Sequence, residues 1–545
     1  MRLHAVPGTG SRLIDIDRAL RRRELAPETD VSRRPADSRT MARWLPFGPV
    51  ILLAGTALAV LALTRFDGLY GQDSFAYFHY ATGPLRQALA HGQLPPPFFW
   101  PPGYPVLVAA ISGIVGVAPI AGQIVSVTAG AAVPAFTILL ARELGTDERA
   151  GSLVARQRWL PVSLLAGLIV AVTGQLLQSS LVVMADTVGL AAATAGAWAL
   201  ARYRRTGAAR WLLLCALAFA WAILTRWIYG LVAVPAAIWG LMLLWRRPRR
   251  IALLHGAGAA VVGIAVLAPT VVPAVLGLIG GSNPPFAGDL QVYSWSPLNA
   301  LHATFTTGDG QLAYSLPNGL YYALAPANWW YFSPLLAGLI APGVWAVVRQ
   351  KRIHALGILV AWAAIVLAFH AGAPWQNPRF ALAYLPPLAI TAAVGYDQLR
   401  RASHAQVRRA AAAWLLAGLA LAAAGSAVLA QEFIERKQND VAIVRWADGL
   451  APVNGQLLAF GLTATFQEYG RLTTLDLSEV STERIGSLLG DGRPTLVLVD
   501  VNALERQWTG RAPWERYHAL LAAPGLTPLG TRGGYTLFAV RHEGA

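Results

Sequence analysis

The amino-acid sequence predicts an all-α polytopic membrane protein of about 11 transmembrane helices, followed by a small C-terminal α/β domain. Three observations predict this fold class. Hydrophobic residues make up 55% of the 545 residues and charged residues only 13%, and the mean hydropathy is +0.47. Apolar runs of helix length recur, with short arginine clusters between many of them. After residue 430 the composition changes to that of a water-soluble domain.

Basic residues outnumber acidic residues by 44 to 28, which gives a formal net charge of +16. Such a balance can indicate nucleic-acid binding, so the positions of the basic residues must show whether this interpretation holds. Arginine and lysine form short clusters between apolar runs, at residues 21–23, 202–205, 246–250, 349–352 and 400–409. Cytoplasmic loops of membrane proteins have this distribution, and it predicts no nucleic-acid partner. The single cysteine, Cys215, excludes an intramolecular disulfide.

The chain begins with a basic arm and a first apolar run. Residues 1–43 are rich in arginine and proline and lack apolar periodicity, which predicts a disordered cytoplasmic arm. Residues 46–65 can cross a hydrocarbon core of about 30 Å at about 1.5 Å per residue. A cleaved signal peptide is the alternative, but the arm is too long for one and no clear small-residue cleavage site follows. We therefore expect a retained span, with the N-terminus inside and the next segment outside.

The transmembrane region is predicted over residues 44–430. Its first outer loop, residues 66–118, passes into an apolar stretch at residues 103–119 that we predict to be an interfacial helix, because a full span would place a basic loop outside. Ten further spans are predicted at residues 120–140, 160–178, 187–201, 211–224, 227–245, 251–278, 334–348, 355–370, 380–396 and 410–430. An odd number of spans places the tail outside.

The tail, residues 431–545, is predicted to be a small extracytoplasmic α/β domain. Charges of both signs return there, and the apolar runs shorten to strand length, as at residues 456–460 and 495–499. Helix-like segments alternate with these runs, and two glycines before residues 535–540 indicate a closing hairpin. Asp500 at a strand end is expected to be structural.

Two acids are candidate catalytic residues. Asp73 lies just beyond the first apolar run and shares a helical spacing with Tyr77. An ionisable side chain near membrane depth is costly and suggests function, although many acids at span ends are only solvated flanks. Asp186 repeats the pattern in a very short outer turn between two spans, where it could instead cap the next helix.

Two arginines are candidate anion ligands. Within the membrane region, the outward-facing segments contain few fixed cations, and two of these interrupt or precede apolar runs: Arg226 after Leu224-Thr225, and Arg379 before Phe380. A guanidinium can bind phosphate oxygens with two hydrogen bonds. The alternatives are that each arginine reaches toward the membrane interface or pairs with a nearby acid.

These residues, taken in order, resemble a known family. The motifs are Asp73-x3-Tyr77, the run from Trp100 to Pro105 that contains Tyr104, Asp186 in its turn, Leu224-Thr225-Arg226, and Arg379 ahead of Pro386-Pro387. Over about residues 43–430, their order relative to the spans resembles the GT-C glycosyltransferases, especially the bacterial protein mannosyltransferase-like enzymes and lipid A aminoarabinose transferase.

The resemblance implies a sugar donor linked to polyprenyl phosphate, used on the outer face of the membrane, with Asp73 as the catalytic base. Transfer needs a base for the acceptor hydroxyl, cations for the leaving phosphate and an amphipathic cleft for the lipid, and it needs no nucleotide. We therefore expect an inverting transfer to a glycan, lipid or protein, with Arg226 and Arg379 on the phosphate. Tyr77 and Tyr104 are predicted to bind substrate.

No cofactor and no metal are predicted. Many relatives have a second acid directly after the first, whereas this chain has Ser74 there, which leaves few hard oxygen ligands. The histidines His79, His91, His302 and His370 are scattered, lack metal-site spacing and are expected to hydrogen-bond locally. A polytopic transporter or flippase for lipid-linked glycans is the alternative function, but no convincing internal repeat supports it.

Overall fold

A computed structural model describes residues 47–145, 153–279, 295–349, 353–490, 493–522 and 526–540. The predicted basic arm, residues 1–43, lies outside these ranges. The described chain is mostly helical, and a small sheet forms near the C-terminus, as the sequence predicts.

The first outer loop begins with helical structure. Helix α1, Gly48–Thr64, ends at Arg65, whose backbone is left-handed (φ 53°) and donates its N–H to the Leu61 carbonyl. Helix α2, Gly71–Tyr80, follows, and the Ser74 hydroxyl fixes its start by accepting from the Tyr70 N–H at 2.7 Å and donating to the Tyr70 carbonyl at 2.8 Å. A π-helical turn, Ala81–Leu85, and helix α3, Arg86–Ala90, continue the segment. The helical spacing predicted for Asp73 and Tyr77 is therefore confirmed.

Apolar helices form the next part of the chain. They are α4 (Gly103–Val115), α5 (Ile120–Gly145), α6 (Leu153–Ala171), α7 (Gly174–Leu181), α8 (Asp186–Thr206), α9 (Ala209–Thr225), α10 (Tyr229–Trp245) and α11 (Arg249–Ile279). Helix α8 is largely buried, because its many alanines, glycines and threonines let α5, α9 and α10 approach closely. Its first residue is Asp186.

The chain then passes through a short non-helical region and returns to helices. A 3₁₀ turn (Pro297–Leu301) precedes the antiparallel strands β1 (Thr304–Thr307) and β2 (Gly310–Ala313). The later helices are α12 (Asn318–Leu324), α13 (Pro334–Gly338), α14 (Ile340–Arg349), α15 (Ile353–Gly372), α16 (Leu385–Arg400) and α17 (Ala405–Leu450), with 3₁₀ turns at Ala325–Ala327 and Pro378–Tyr384.

The predicted number of spans is not confirmed. Three described helices are long and apolar enough to cross a membrane, within α5, α11 and α17, and the pair α6 and α7 makes a fourth if it counts as one span bent by 58°. The helices at several other predicted spans are apolar but shorter, at 10–17 residues. These helices are those of a membrane protein, while the count of about 11 and the direction of each span stay predictions.

Two predicted spans differ in detail from the structure. Residues 380–396 begin in a 3₁₀ turn, and the α-helix starts only at Leu385, because Pro386 and Pro387 lack the N–H that a helix interior requires. Helix α17 passes through residue 430 without a break and continues to Leu450. The proposed start of the tail at residue 431 therefore lies within this helix.

The tail folds as the predicted α/β unit. Its strands are β3 (Gln456–Ala459), β4 (Thr473–Asp476), β5 (Thr495–Val499), β6 (Leu526–Arg532) and β7 (Tyr535–Val540), and its helices are α18 (Thr463–Tyr469), α19 (Thr482–Gly490), α20 (Val501–Trp508) and α21 (Ala512–Ala522). The sheet order is β4-β3-β5-β7-β6, with β3 parallel to β4 and β5, and β7 antiparallel to β5 and β6.

Side chains alternate between the two faces of this sheet, and each face has its own apolar core. Leu496 and Leu498 pack toward the end of α17, whereas Val497 and Val499 pack toward α20 and α21. Asp500 caps α20, since its Oδ1 accepts from the Ala503 N–H at 3.0 Å. This agrees with the structural role expected for Asp500.

A buried polar cluster joins the tail to the first outer loop. The Lys437 ammonium, on α17, donates to Asp67 Oδ1 at 3.0 Å and to the Tyr469 hydroxyl at 2.6 Å, and it also contacts the Leu69 carbonyl. The Tyr469 hydroxyl donates to Asp67 Oδ2 at 2.5 Å. Burial lowers the pKa of Lys437, and the carboxylate of Asp67 opposes that shift. This cluster fixes the chain just before α2.

Candidate active site

Asp73 and Arg379 form an ion pair across the site, although 306 positions separate them in the chain. Asp73 lies in the first turn of α2. Arg379 lies in the 3₁₀ turn before α16, where Asn377 Oδ1 accepts its backbone N–H at 3.1 Å. A second guanidinium nitrogen lies 2.8 Å from the sulfur of Met184. The pair therefore joins the first outer loop to the turn before Asp186.

Asp186 and Arg226 form a second ion pair. Asp186 is the first residue of α8 and not its cap, so the predicted alternative of a capping role is not what the structure shows. Arg226 occupies the break between α9 and α10, with extended backbone (φ −152°, ψ 126°). The predicted interruption at Leu224-Thr225-Arg226 is thus a real break between two helices.

The arginines of both ion pairs lie against one aromatic ring, that of Phe380. The guanidinium carbon of Arg226 is 5.7 Å from the centroid of Phe380, and that of Arg379 is 5.5 Å from the same centroid. A ring face attracts cations, which helps to hold both arginines together despite their like charge. The structure therefore brings together the two acids and the two arginines singled out in the sequence.

A glycine allows the first outer loop to reach the break at Arg226. A Cβ atom added at Gly103 would lie 2.7 Å from the Leu224 carbonyl oxygen and 3.0 Å from the Thr225 nitrogen. Any side chain there would push the start of α4 away from the end of α9. The motif that contains Trp100 and Gly103 is in this way packed directly against the motif that contains Arg226.

Aromatic side chains of the first outer loop support this arrangement. Tyr77 stacks on Trp100 with ring centroids 4.9 Å apart and meets Tyr104 edge to face at 5.4 Å. The Tyr104 hydroxyl shares a hydrogen bond with Ser126 Oγ at 3.0 Å and donates to the Gly122 carbonyl at 3.2 Å. Burial raises the pKa of both phenols well above the usual range, so both hydroxyls stay protonated.

A cavity of about 540 Å³ opens beside the arginines. Its polar lining includes Tyr77, Asp186, Arg226, His370 and Arg379. Much of the remaining wall is apolar and aromatic, formed by Trp100, Leu231, Val271, Val275, Trp295 and Phe369. The cavity can therefore take a molecule with an anionic head and an apolar tail. Tyr104 does not line it and lies behind Tyr77.

Several cavity residues were not predicted from the sequence. Trp100 belongs to a quoted motif, but its stacking on Tyr77 was not foreseen. Phe380 was noted only as the residue after Arg379. His370 was expected to hydrogen-bond locally, yet its Nε2 has no hydrogen-bond partner among the described residues. His91 does form the local hydrogen bond that the sequence predicts, because its Nδ1 lies 2.8 Å from the Gln87 carbonyl oxygen.

No cluster of three or more His, Cys, Asp or Glu suited to a metal is found within the described residues. In the candidate site each carboxylate faces an arginine instead of further oxygen ligands. The absence of a metal requirement stays a prediction.

Helices surround an amphipathic cavity that two acid–arginine pairs adjoin, and a mixed α/β unit follows at the C-terminus. The comparisons with solved structures assign this fold to the GT-C class. The chain is similar to ArnT from Cupriavidus metallidurans bound to undecaprenyl phosphate, with TM-score 0.58 and 17% identity over 91% of this chain and 98% of that one. The apo state of the same protein gives TM-score 0.57 and 15% identity, over 90% and 98% of the two chains.

The chain is also similar to the archaeal oligosaccharyltransferase AglB from Archaeoglobus fulgidus, in complex with an inhibitory peptide and a dolichol-phosphate. The TM-score is 0.54 and the identity 11%, over 92% of this chain and 75% of that one. Neither a protein-family model nor a curated protein matches the chain. At these identities the likeness establishes the fold. The predicted resemblance to GT-C glycosyltransferases is confirmed at that level, and the transporter alternative is not favoured.

Proposed function

We propose that the protein is a glycosyltransferase that moves a sugar from a polyprenyl-phosphate donor to a hydroxyl of a glycan, lipid or protein. One observation carries the proposal: Arg226, Arg379 and Asp186 line one end of a cavity whose other walls are largely apolar, and Asp73, outside the lining, pairs with Arg379. A lipid-linked phosphate has the matching shape, because its charged head and its hydrocarbon tail need opposite surroundings. The solved ArnT structure with undecaprenyl phosphate supports this class of ligand.

In this proposal Arg226 and Arg379 bind the donor phosphate. Both line the cavity and both lie against Phe380, so one phosphate group can receive hydrogen bonds from the two guanidinium groups. The isoprenoid chain follows the apolar wall near Val271 and Val275. Tyr77, held by Trp100, offers a protonated phenol at the same cavity, and Tyr104 positions Tyr77 from behind.

Asp73 is the proposed general base. It accepts the proton of the acceptor hydroxyl while that oxygen forms a bond to the anomeric carbon and the bond from this carbon to the phosphate oxygen breaks. The phosphate leaves with the bonding electrons, and the arginines stabilise its increased charge. Attack opposite the phosphate inverts the anomeric centre. Asp186 holds Arg226 in position and is the second candidate for the base.

The proposed site faces the extracytoplasmic side of the cell membrane, with the N-terminus in the cytoplasm and the tail outside. Placement of the arginine clusters supports this orientation. The proposed donor reaches the cavity from the lipid phase, and the cluster at Lys437 holds the tail against the first outer loop. The reaction proposed here uses no nucleotide, metal or cofactor.

The test uses the purified protein in lipid nanodiscs with radiolabelled undecaprenyl-phosphate sugars, covering hexoses and pentoses, and a membrane and envelope extract as the source of acceptor. We expect label from one donor to move to an acceptor fraction, with release of undecaprenyl phosphate. The same reaction with Asp73→Asn protein is the matched control. Failure of every donor in the panel to bind or to lose its label would refute the proposed function.

A further inference from the structure

His370 is a cavity residue with unused hydrogen-bonding capacity. It lies near the end of α15, lines the cavity beside Arg226 and Arg379, and is only 5% exposed. Its Nε2 has no hydrogen-bond partner within the described part of the chain. A buried polar group without a partner costs stability, so most such groups in folded proteins are satisfied. The side chain therefore lacks a partner that a bound molecule could supply.

Aromatic rings hold the imidazole in place. His370 stacks on Phe380 with centroids 5.1 Å apart and an interplanar angle of 11°, and on Tyr322 at 5.3 Å and 28°. The Tyr322 hydroxyl in turn donates to the Trp375 carbonyl at 2.8 Å and accepts from the Asn377 N–H at 3.2 Å. The ring is thus fixed by the same segment that fixes Arg379, and it needs no hydrogen bond of its own to stay there.

The imidazole also lies within reach of the arginines. Its centroid is 5.1 Å from that of Phe380, which is 5.7 Å from the guanidinium carbon of Arg226, so the imidazole is within about 11 Å of that carbon. A sugar whose phosphate is on the arginines can reach the imidazole over this distance or a shorter one. The rest of the cavity wall is largely apolar and can contact the lipid chain of the donor.

We propose that His370 recognises the sugar of the donor by a hydrogen bond to one of its ring hydroxyls. This inference rests on the proposed function and names a specificity-determining residue for it. A hydroxyl both donates and accepts, so it satisfies an imidazole nitrogen in either tautomer. A phosphate oxygen only accepts, and two arginines are already available to it. Because a site that hydrogen-bonds a hydroxyl rejects an analogue that lacks it, His370 selects among sugars of similar size.

The experiment compares binding of bare undecaprenyl phosphate with binding of undecaprenyl-phosphate sugars and of their single-position deoxy analogues. The key variant is His370→Phe, which keeps the stacking between Tyr322 and Phe380 but removes both nitrogens. His370→Gln restores a group that donates and accepts. His302→Phe, at an exposed histidine of the described outer segment, is the matched control. Thermal unfolding under the conditions of the binding assay shows whether each variant is folded.

We expect His370→Phe to weaken binding of the sugar-bearing donor by about 5- to 30-fold, the effect of losing one buried hydrogen bond, and to leave bare undecaprenyl phosphate within about twofold. His370→Gln should recover part of the loss. One deoxy analogue should bind the unaltered protein as weakly as the parent donor binds His370→Phe. The same analogue should bind His370→Phe with little further loss of affinity. The control should match the unaltered protein.

Equal weakening for bare and sugar-bearing lipid would overturn the inference, because it would assign His370 to the phosphate or to the shape of the cavity. Unchanged binding of the parent donor to His370→Phe would overturn it as well. If His370→Phe is unfolded, binding of the deoxy analogues to the unaltered protein tests the inference. If every analogue binds as tightly as the parent donor, no sugar hydroxyl is recognised and the inference is wrong. Failure of the proposed function is distinct: the unaltered protein then binds neither bare nor sugar-bearing lipid.

Discussion

Asparagine in place of Asp73 should separate donor binding from transfer. The amide keeps the shape of the carboxylate but cannot take the acceptor proton, and loss of a general base lowers rates by about 10²- to 10⁴-fold. The structure adds a second effect. Arg379, the partner of Asp73, is also a candidate phosphate ligand, so donor and carboxylate compete for one guanidinium.

The size of that competition follows from the exposure of the pair. A hydrogen bond to a charged group contributes about 1.5–3 kcal/mol when buried. The side chains of Arg379 and Asp73 are 19% and 24% exposed, so water screens the pair in part. A contribution near 1 kcal/mol corresponds to about a fivefold change in a binding constant. We therefore expect Asp73→Asn to bind the donor as tightly as the unaltered protein, or up to about fivefold more tightly.

Arg379→Ala should give the opposite pattern. It removes a charged donor from the phosphate, which lowers donor affinity by about 10- to 100-fold, and it leaves the leaving group less stabilised in transfer. Arg226→Ala should behave in the same way if both arginines bind the phosphate. An arginine that only reaches to the interface would give a change within about twofold when replaced.

The assay measures donor binding and single-turnover transfer on purified variants. Asp397→Asn is the matched control, since Asp397 also pairs with arginines, Arg400 at 2.6 Å and Arg401 at 2.7 Å, but does not line the cavity. Near-normal transfer by Asp73→Asn would show that Asp73 is not the base and make Asp186 the next candidate. A tenfold loss of donor affinity in that variant would refute the competition for Arg379.

Four further predictions follow from the same structure and sequence. Gly103→Ala should lower donor affinity and thermal stability, because its Cβ would lie 2.7 Å from the Leu224 carbonyl oxygen, whereas Gly113→Ala in the same helix meets nothing within 4 Å and should be neutral or stabilising in the same two assays. Burial raises the pKa of Asp440 to about 6, although Lys437 opposes the shift. The folded protein therefore binds a proton at Asp440 that the unfolded chain releases, so the contribution of Asp440 to stability falls as the pH rises from about 4 to about 6. Asp440→Asn should raise the melting temperature more at pH 8 than at pH 4. An equal increase at both pH values would contradict this. A cysteine at Gln507, in a Cys215→Ser background, should react with a membrane-impermeant thiol reagent in intact cells, and protection of a correctly inserted protein would contradict an outer tail. Transfer should persist in EDTA because each candidate carboxylate faces an arginine, and loss of activity that one added metal restores would show the opposite.

The sequence was sufficient to find the charged residues of the candidate site. In a chain this apolar, an acid or an arginine at the end of an apolar run is unusual and therefore conspicuous. Asp73, Asp186, Arg226 and Arg379 were identified on that basis. The break at Arg226 was also visible, because an arginine interrupted an otherwise apolar run.

The pairing of these residues could not be predicted. Which arginine meets which acid depends on how distant segments pack, and hydrophobic periodicity reports only local structure. The same limit applies to Phe380 and His370, since a phenylalanine or histidine next to a span has no local feature that marks it as part of a cavity wall. The continuation of α17 to Leu450 was missed because the charges that begin at Gln431 mark the end of the apolar run but do not end a helix.

The ion pair between Asp73 and Arg379 suits the charge changes of the proposed reaction. The donor phosphate is a diester with one negative charge, and the released lipid phosphate carries close to two near neutral pH. As the phosphate gains negative charge, Asp73 takes the acceptor's proton and loses its negative charge. Arg379, which Asp73 and the bound phosphate share until then, can now interact fully with the phosphate, so neither a cation nor an anion is left unpaired in a partly buried site, where an unpaired charge is costly. Proton transfer and leaving-group stabilisation are in this way coupled through one guanidinium, which explains why a base would be paired with an arginine before the donor arrives.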